Sequence, residues 1–309
     1  ALIKEQQYEG ARQVLRQGKA SGLTGERVDQ LEAQLSTMVS SSLPPNGSAS
    51  GTSQQQIDGL IALYTQGNLQ KGIVTGTALA SQFPSDPIIP NVLGAIYSEL
   101  NRYEEAISNY EKAIELKPDY AAAHNNLGIT LAKIGEHTES IIKYNKAIEL
   151  DPNFADAYCN LGASQTKLGN YKEAIASCNK AIELKMNYAE AHNNLGNAFN
   201  DLGKYEEAIS SYTKTIELKF DFAEAHNNLG NILRLGKKYE EATYHFDLLN
   251  TDFGTALSLE CLYLSKNYIE FENRLNALCL LENMNLRVAA LSSFAAHQLK
   301  KKDPYPFCK

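Results

Sequence analysis

The 309-residue sequence lacks several features that define common protein classes. It has no run approaching the roughly 20 consecutive apolar residues that a membrane-spanning helix needs. Acidic residues outnumber basic ones, 36 to 29, so the positive surface typical of nucleic-acid-binding proteins is not expected. The first residues show no secretory pattern and no initiator methionine, which predicts a cut or processed N-terminus.

Paired cysteines and catalytic motifs are also missing. The five cysteines are odd in number and form no Cys-x-x-Cys, which argues against disulfides or a zinc site and favours a reducing, cytoplasmic location. Phosphate-loop, serine-hydrolase and zinc-protease motifs are absent. The His245-Phe-Asp247 segment has the spacing of iron ligands, but it lies in helical sequence without strands. The sequence therefore predicts no catalytic residue, no metal site and no cofactor.

A 34-residue repeat dominates the rest of the sequence. The string Asn-Leu-Gly recurs, and its glycines are Gly128, Gly162, Gly196 and Gly230. A Tyr-x-x-Ala string follows in phase. Apolar residues such as Leu127, Leu131 and Ile134 recur at i, i+4 and i+7, which predicts a helix. Each unit therefore reads as two helices with a glycine turn between them.

These strings resemble the tetratricopeptide repeat family. The resemblance implies an all-α, right-handed superhelical solenoid of antiparallel helix pairs, each burying its apolar side against the next. The units that match the pattern best are 87–120, 121–154, 155–188, 189–222 and 223–256.

The flanks carry weaker versions of the same pattern. Residues 53–86 are in phase, so the array spans 53–256, although Gly72 and Gly76 should weaken its second helix by ~1 kcal/mol each relative to alanine. The other predicted segments are a partial repeat at 1–35, a flexible Ser-, Gly-, Pro- and Gln-rich linker at 36–52, a degenerate repeat with a capping helix at 257–302, and an extended tail at 303–309.

The tail resembles a junction found in some bacterial tetratricopeptide proteins. In those proteins the repeats lead into an oxygenase domain that uses iron(II) and 2-oxoglutarate. The resemblance implies that this chain could be the substrate-recognition arm of a longer enzyme, either such an oxygenase or a glycosyl- or sulfo-transferase. No such domain lies within the 309 residues.

One asparagine recurs in the first helix of four units, at Asn126, Asn160, Asn194 and Asn228. In the family this position faces the concave surface. A carboxamide offers an acceptor and two donors, so a row of them can pair with the backbone of an extended peptide of any sequence. The row resembles the asparagine ladder in the repeat groove of the animal O-linked N-acetylglucosamine transferase. A simple solvated or locally bonded role for these asparagines is the alternative.

Further groove residues follow from the same helical positions. The polar and cationic members are Asn125, Asn193, Asn227, Asn197, Asn231, Asn200, Lys133, Lys167 and Arg234. Carboxylates at Asp156, Glu190 and Glu224 would edge the groove.

The sequence thus predicts a non-enzymatic protein-interaction module, or scaffold, that holds an extended peptide segment of a partner. Nucleic acid and membranes are not expected partners. The recognition-arm function remains an alternative. A third possibility is self-association through apolar residues in segments 1–35 and 257–300.

Overall fold

The computed structural model describes residues 50–280 of the chain. The chain divides into two units, residues 1–56 and residues 57–309. Of the first unit, the described residues include only 50–56, which begin the first described helix. The predictions for residues 1–35, for the capping helix after residue 280 and for the tail at 303–309 lie outside the described residues. The predicted linker at 36–52 overlaps the first described helix, which begins at Ser50.

The described residues form helices and no strand, in agreement with the predicted all-α solenoid. In chain order they are α1 (Ser50–Thr65), α2 (Leu69–Gln82), α3 (Ile88–Glu99), α4 (Tyr103–Leu116), α5 (Ala121–Lys133), α6 (His137–Leu150), α7 (Ala155–Lys167), α8 (Tyr171–Leu184), α9 (Ala189–Asp201), α10 (Tyr205–Leu218), α11 (Ala223–Leu235), α12 (Tyr239–Asp247), α13 (Asp252–Leu264) and α14 (Tyr268–Leu280).

Consecutive helices pack in pairs, with odd-numbered first helices and even-numbered second helices. From α3 to α11, each first helix also contacts the first helix of the next pair. The first helices therefore form one continuous layer, so side chains at the same position in successive units lie side by side. This layer positions the candidate site.

The turns within pairs use glycine where the sequence predicted it, with one exception. Gly135, Gly169 and Gly203 have φ angles of +89°, +79° and +81°, in the left-handed region that favours glycine. At the fourth turn the prediction is wrong: Gly236 has a φ of −73°, and Lys237 adopts the left-handed conformation with a φ of +62°.

Aromatic residues rather than polar ones precede these first helices. Asp119, Asn153, Asn187 and Asp221 do not cap the helices that follow them. The N-cap residues are the next ones in the chain, Tyr120, Phe154, Tyr188 and Phe222, and none makes a side-chain cap bond. Tyr188 is 8% exposed and packs with Cys159, so this position serves the core rather than the helix end.

The core of each pair depends on close contact between a first-helix glycine and a second-helix ring. A Cβ atom on Gly94, Gly128, Gly196 or Gly230 would lie 2.6–2.8 Å from an atom of Tyr110, Tyr144, Tyr212 or Phe246, respectively. Real Cβ atoms essentially never come so close, and therefore any side chain would force the helices apart. In the α7–α8 pair the thiol of Cys178 takes the place of the ring.

Replacing Gly128 by alanine should lower the free energy of unfolding by about 1–3 kcal/mol through overpacking against Tyr144. Gly59 in α1 is the matched control, since a Cβ atom added there would have nothing within 4 Å. Alanine at position 59 should raise the free energy of unfolding by up to about 1 kcal/mol through helix propensity. Urea unfolding of both variants checks the opposite signs, and a stabilised Gly128→Ala variant would contradict the packing account.

The same kind of contact explains Gly72 and Gly76, which the sequence alone marked only as weak points of α2. Their Cβ atoms would lie 2.7 Å from Ile96 Cδ1 and 2.6 Å from Leu93 Cδ2, respectively, on α3. Both glycines are buried. They therefore let α2 approach α3, and alanine at either position would lose packing as well as gain helix propensity.

The helix pair α11–α12 belongs to a unit that is shorter than the 34-residue period. The predicted unit is 223–256, but α12 ends at Asp247 and α13 already begins at Asp252. Thr251 caps α13 by accepting a hydrogen bond from the Gly254 backbone N–H at 3.0 Å. This local cap fixes the early start, which the 34-residue period could not reveal.

Among residues 50–280, none of the helices combines the length and the apolar character needed to cross a bilayer.

Candidate functional site

The predicted asparagine row lies on the layer of first helices, and its side chains join neighbouring units. Asn126 Nδ2 donates to Asn91 Oδ1 at 3.2 Å, and Asn160 Nδ2 donates to Asn125 Oδ1 at 3.1 Å. Asn194 Nδ2 lies 3.3 Å from both the carbonyl oxygen and Sγ of Cys159. Each of these donors therefore reaches the residue 35 positions earlier, and the row links successive repeats of the solenoid.

These bonds use only part of each carboxamide. All four row asparagines are partly exposed. Within residues 50–280, the Oδ1 atoms of Asn126, Asn160 and Asn194 accept no hydrogen bond from another residue. Each of these amides thus keeps an acceptor oxygen, and its second N–H, for a ligand.

The pattern breaks at the step from α9 to α11. Asn228 Nδ2 donates to Asn197 Oδ1 at 2.9 Å instead of to Asn193, the residue 35 positions earlier. Asn193 is 2% exposed, and its Oδ1 has no hydrogen-bond partner. Asn197 Oδ1 also accepts from the Tyr212 hydroxyl at 2.7 Å, and Asn197 Nδ2 donates to Glu224 Oε1 at 3.0 Å. Asn197 is therefore the centre of a polar network here.

An open cavity of about 330 Å³ lies beside this network. Its walls come from three successive first helices, α7, α9 and α11, and from one second-helix residue, Tyr212. The lining residues are Ala163, Thr166, Lys167, Asn194, Asn197, Asn200, Asp201, Tyr212, Glu224 and Asn228. Six of the residues predicted in or beside the groove are thus brought together: Lys167, Asn194, Asn197, Asn200, Asn228 and Glu224.

The electrostatics of the cavity are mixed. Lys167 is exposed and takes part in no ion pair with any residue in the described part of the chain. Asp201 Oδ1 accepts from Asn200, and Glu224 accepts from Asn197. Burial raises the pKa of Tyr212 well above its usual range, so its phenol stays protonated and donates to Asn197.

The other predicted site residues are less available to a ligand. Asn125 and Asn193 are buried, 5% and 2% exposed, and do not belong to an accessible surface. Lys133 Nζ lies 3.6 Å from Glu99, and Arg234 Nη1 lies 3.1 Å from Glu260 on α13.

Two further asparagines bond within their own helix. Asn231 Nδ2 donates to the carbonyl oxygen of Asn227 at 2.9 Å, and Asn227 Nδ2 donates to Asn228 Oδ1 at 3.4 Å.

Sequence reasoning missed Tyr212, Thr166 and Asp201 as cavity residues. Tyr212 stands at the same position of its repeat as Tyr110 and Tyr144, and all three rings are buried. The Tyr212 hydroxyl nevertheless reaches the cavity network through Asn197. The repeat pattern alone does not reveal the bonding partner of this hydroxyl.

Histidines occupy the same position of three first helices, at His124, His192 and His226. His124 Nε2 bonds the carbonyl oxygen of Pro118 at 3.0 Å, and His226 Nε2 bonds that of Phe220 at 2.8 Å. The rings thus tie each first helix to the turn before it. Asp247 of the His-x-Asp segment binds Arg274 Nη1 at 2.7 Å, which occupies its carboxylate.

Cys159, Cys178 and Cys261 are buried and free. Burial raises the pKa of Cys159 to about 11 and that of Cys261 to about 12. Thiolates are therefore scarce at neutral pH, and neither residue is an activated nucleophile. The cavity is lined by carboxamides, a phenol and charged side chains.

Comparison with known families matches most of the regular array. Residues 94–135, 130–169 and 196–236 match a family described as TPR repeat, and residues 155–185 and 177–210 match two families described as tetratricopeptide repeat. No curated protein matches the sequence.

Several solved structures share the fold. PilF of Pseudomonas aeruginosa is 20% identical with a TM-score of 0.56, and the match covers 68% of this chain and 97% of that one. PilW, a type IV pilus biogenesis factor, is 19% identical with a TM-score of 0.60, covering 65% and 93%. The APC/C hetero-tetramer Cut9–Hcn1 is 20% identical with a TM-score of 0.60, covering 76% and 48%. At these identities the likeness concerns the solenoid fold alone.

Proposed function

We propose that residues 94–236, which match tetratricopeptide-repeat families, form a protein-interaction module that binds an extended peptide segment along its first helices. The observation that carries the proposal is the row of partly exposed asparagines that ends in the cavity between α7, α9 and α11. No reaction is assigned to the chain, since its repeats are of a fold that is typically non-catalytic.

The geometry suits a peptide backbone. An amide of the row keeps one acceptor and one donor after its contact with the preceding repeat, and a peptide unit offers one donor and one acceptor in return. Neighbouring first helices lie about 8–10 Å apart, close to the span of three extended residues at about 3.3 Å each. Successive asparagines can therefore meet every third residue of an extended segment.

The network at Asn197 gives the cavity a way to respond to a ligand. A peptide group that bonds Asn197 Oδ1 would compete with Asn228 and Tyr212 for the same acceptor. Released from Asn197, Asn228 can donate to the unpartnered Oδ1 of Asn193, its counterpart 35 positions earlier. Part of the cost of breaking the network is thereby offset, because a buried acceptor gains a partner.

Charge at the cavity selects among peptides. Lys167 lies at one side without an ion pair in the described part of the chain, whereas Asp201 and Glu224 lie on α9 and α11. A segment that carries a carboxylate near α7 and a basic group one or two repeats further on complements this arrangement.

The variant Lys167→Glu should weaken an acidic peptide selected on the wild-type chain by about tenfold, because an attraction becomes a repulsion. The exposed Lys172 on α8 is the matched control, and Lys172→Glu should leave the affinity within about twofold. Isothermal titration at two salt concentrations measures both. Equal losses in the two variants would contradict a specific role for Lys167.

The recognition-arm function stays a second proposal. It rests on the tail sequence at 303–309, which resembles a junction to an iron(II)- and 2-oxoglutarate-dependent oxygenase domain. Sequencing the natural reading frame past Lys309 tests it. A following domain with an intact metal or transferase site supports the proposal, and a stop codon at that point contradicts it.

Self-association through the apolar residues of segments 1–35 and 257–300 is the third proposal. Light scattering across a hundredfold concentration range tests it. A mass that rises to that of a dimer supports self-association, and a constant monomer mass contradicts it.

A further inference from the structure

Two histidines face each other on one side of the sixth helix pair, at a place that the proposed groove does not use. His226 lies in the first turn of α11, and His245 lies near the end of α12. Their Nδ1 atoms are 2.9 Å apart. The ring centroids are 5.1 Å apart, and the ring planes are tilted by 40°.

The proton position on His226 is fixed by its second nitrogen. His226 Nε2 lies 2.8 Å from the carbonyl oxygen of Phe220, an acceptor, so Nε2 carries the hydrogen. Nδ1 of His226 then presents a lone pair toward His245. Histidines that bind metals almost always donate their other ring N–H to a carboxylate, a carbonyl or water in this way, which orients the ring and increases its basicity.

We infer that His226 and His245 form a two-histidine chelate for a divalent transition-metal ion, with Cu²⁺ or Ni²⁺ as the preferred ions. Two nitrogens about 2.0–2.1 Å from a metal lie about 2.9 Å apart when the bond angle is 90°, and about 3.4 Å apart when it is tetrahedral. The observed spacing thus fits the right-angled coordination of Cu²⁺ and Ni²⁺ better than that of a tetrahedral zinc site.

The surroundings fit a weakly held ion with open positions. In the described part of the chain, no group of three His, Cys, Asp or Glu side chains is placed to hold a metal, so water would complete the coordination. His226 itself is 2% exposed, but His245 is partly exposed, and Phe220 and Tyr244, which flank the pair, are 60% and 54% exposed.

The two Nδ1 atoms share a hydrogen bond, in which His245 donates because Nε2 of His226 carries the hydrogen of that ring. Glu241 lies one turn before His245 on α12, and it is paired with Lys238 at 3.8 Å. A metal ion would replace the hydrogen bond when the proton of His245 moves from Nδ1 to Nε2, so no net proton is released.

The other repeats supply internal controls. His192 bonds the Met186 backbone as His226 bonds that of Phe220, but Ser211 stands at the position of His245. His124 likewise has Lys143 at that position. The two proposed ligands are 19 residues apart, a separation that matches no metal-binding spacing motif in the sequence.

Titration of the wild-type chain with NiCl₂ or CuSO₄ in a non-chelating buffer tests the inference. We expect one site with a micromolar dissociation constant, weakened at least tenfold in His245→Ser, which introduces the residue type found at position 211. No saturation below millimolar metal, or equal binding in the variant, would overturn the inference.

A spectroscopic readout on the wild type is independent of whether the variant folds. Substoichiometric Cu²⁺ should broaden the ring signals of His226 and His245 before those of His124 and His192. Broadening that begins at another histidine, or equally at all of them, would also overturn the assignment.

Discussion

Replacing Tyr144 by alanine should lower the free energy of unfolding by about 3–5 kcal/mol, the largest loss expected from a single change in the array. The ring is 2% exposed and lies against Gly128, and its hydroxyl bonds Ser164 in the next first helix. The substitution therefore leaves a cavity within one repeat and removes a contact to the next. Urea unfolding followed by circular dichroism measures the loss.

Two controls separate these contributions. Tyr144→Phe keeps the ring and should cost only about 0.5–1.5 kcal/mol for the lost hydrogen bond. Tyr205→Ala removes a tyrosine that is 48% exposed, and its effect should stay within about 1 kcal/mol. Since each repeat contacts only its neighbours, Tyr144→Ala should also divide the unfolding curve into two transitions. Equal losses for Tyr144→Ala and Tyr205→Ala would contradict the ring-on-glycine account of the core.

Changing Asn126, Asn160, Asn194 and Asn228 together to alanine should weaken a bound peptide by about 30-fold or more. Each amide contributes about 0.5–1.5 kcal/mol through hydrogen bonds to the peptide backbone. The probe is a 12-residue peptide selected from a random display library on the wild-type chain, and titration calorimetry gives the two dissociation constants.

The fourfold variant needs a test of folding and a matched control. It also loses the bonds between repeats, so its melting temperature must lie well above the assay temperature. The control variant carries Asn109→Ala and Asn179→Ala on second helices, away from the row. It should bind the peptide like the wild type, and an unchanged affinity in the fourfold variant would reject the ladder.

The repeat architecture is predictable because the same residue types recur in the sequence with a period of 34 residues. Glycines that meet aromatic rings, and glycines that end first helices, recur every 34 residues, so one correct unit defines the next. The prediction fails where local chemistry differs from the repeat. Lys237 replaces a glycine in the left-handed turn, and Thr251 starts α13 early.

The candidate site is less predictable, since it depends on how side chains pair across repeats. The pattern placed Asn126, Asn160, Asn194 and Asn228 on one face, but it did not show that each donates a bond to the preceding first helix. It also predicted Asn193 as a groove residue, although this side chain is buried. Whether an amide at a given position is free, shared or buried is set by its neighbours on two other helices.

The most direct test of the proposed groove is to observe the asparagine side-chain amides while the selected peptide binds. In ¹⁵N-correlated spectra of the wild-type chain, the NH₂ signals of Asn194, Asn197 and Asn228 should shift on saturation. Those of Asn109 and Asn179 should stay in place. Shifts confined to Asn109, Asn179 and other second-helix residues would contradict the proposal that the first helices form the binding surface.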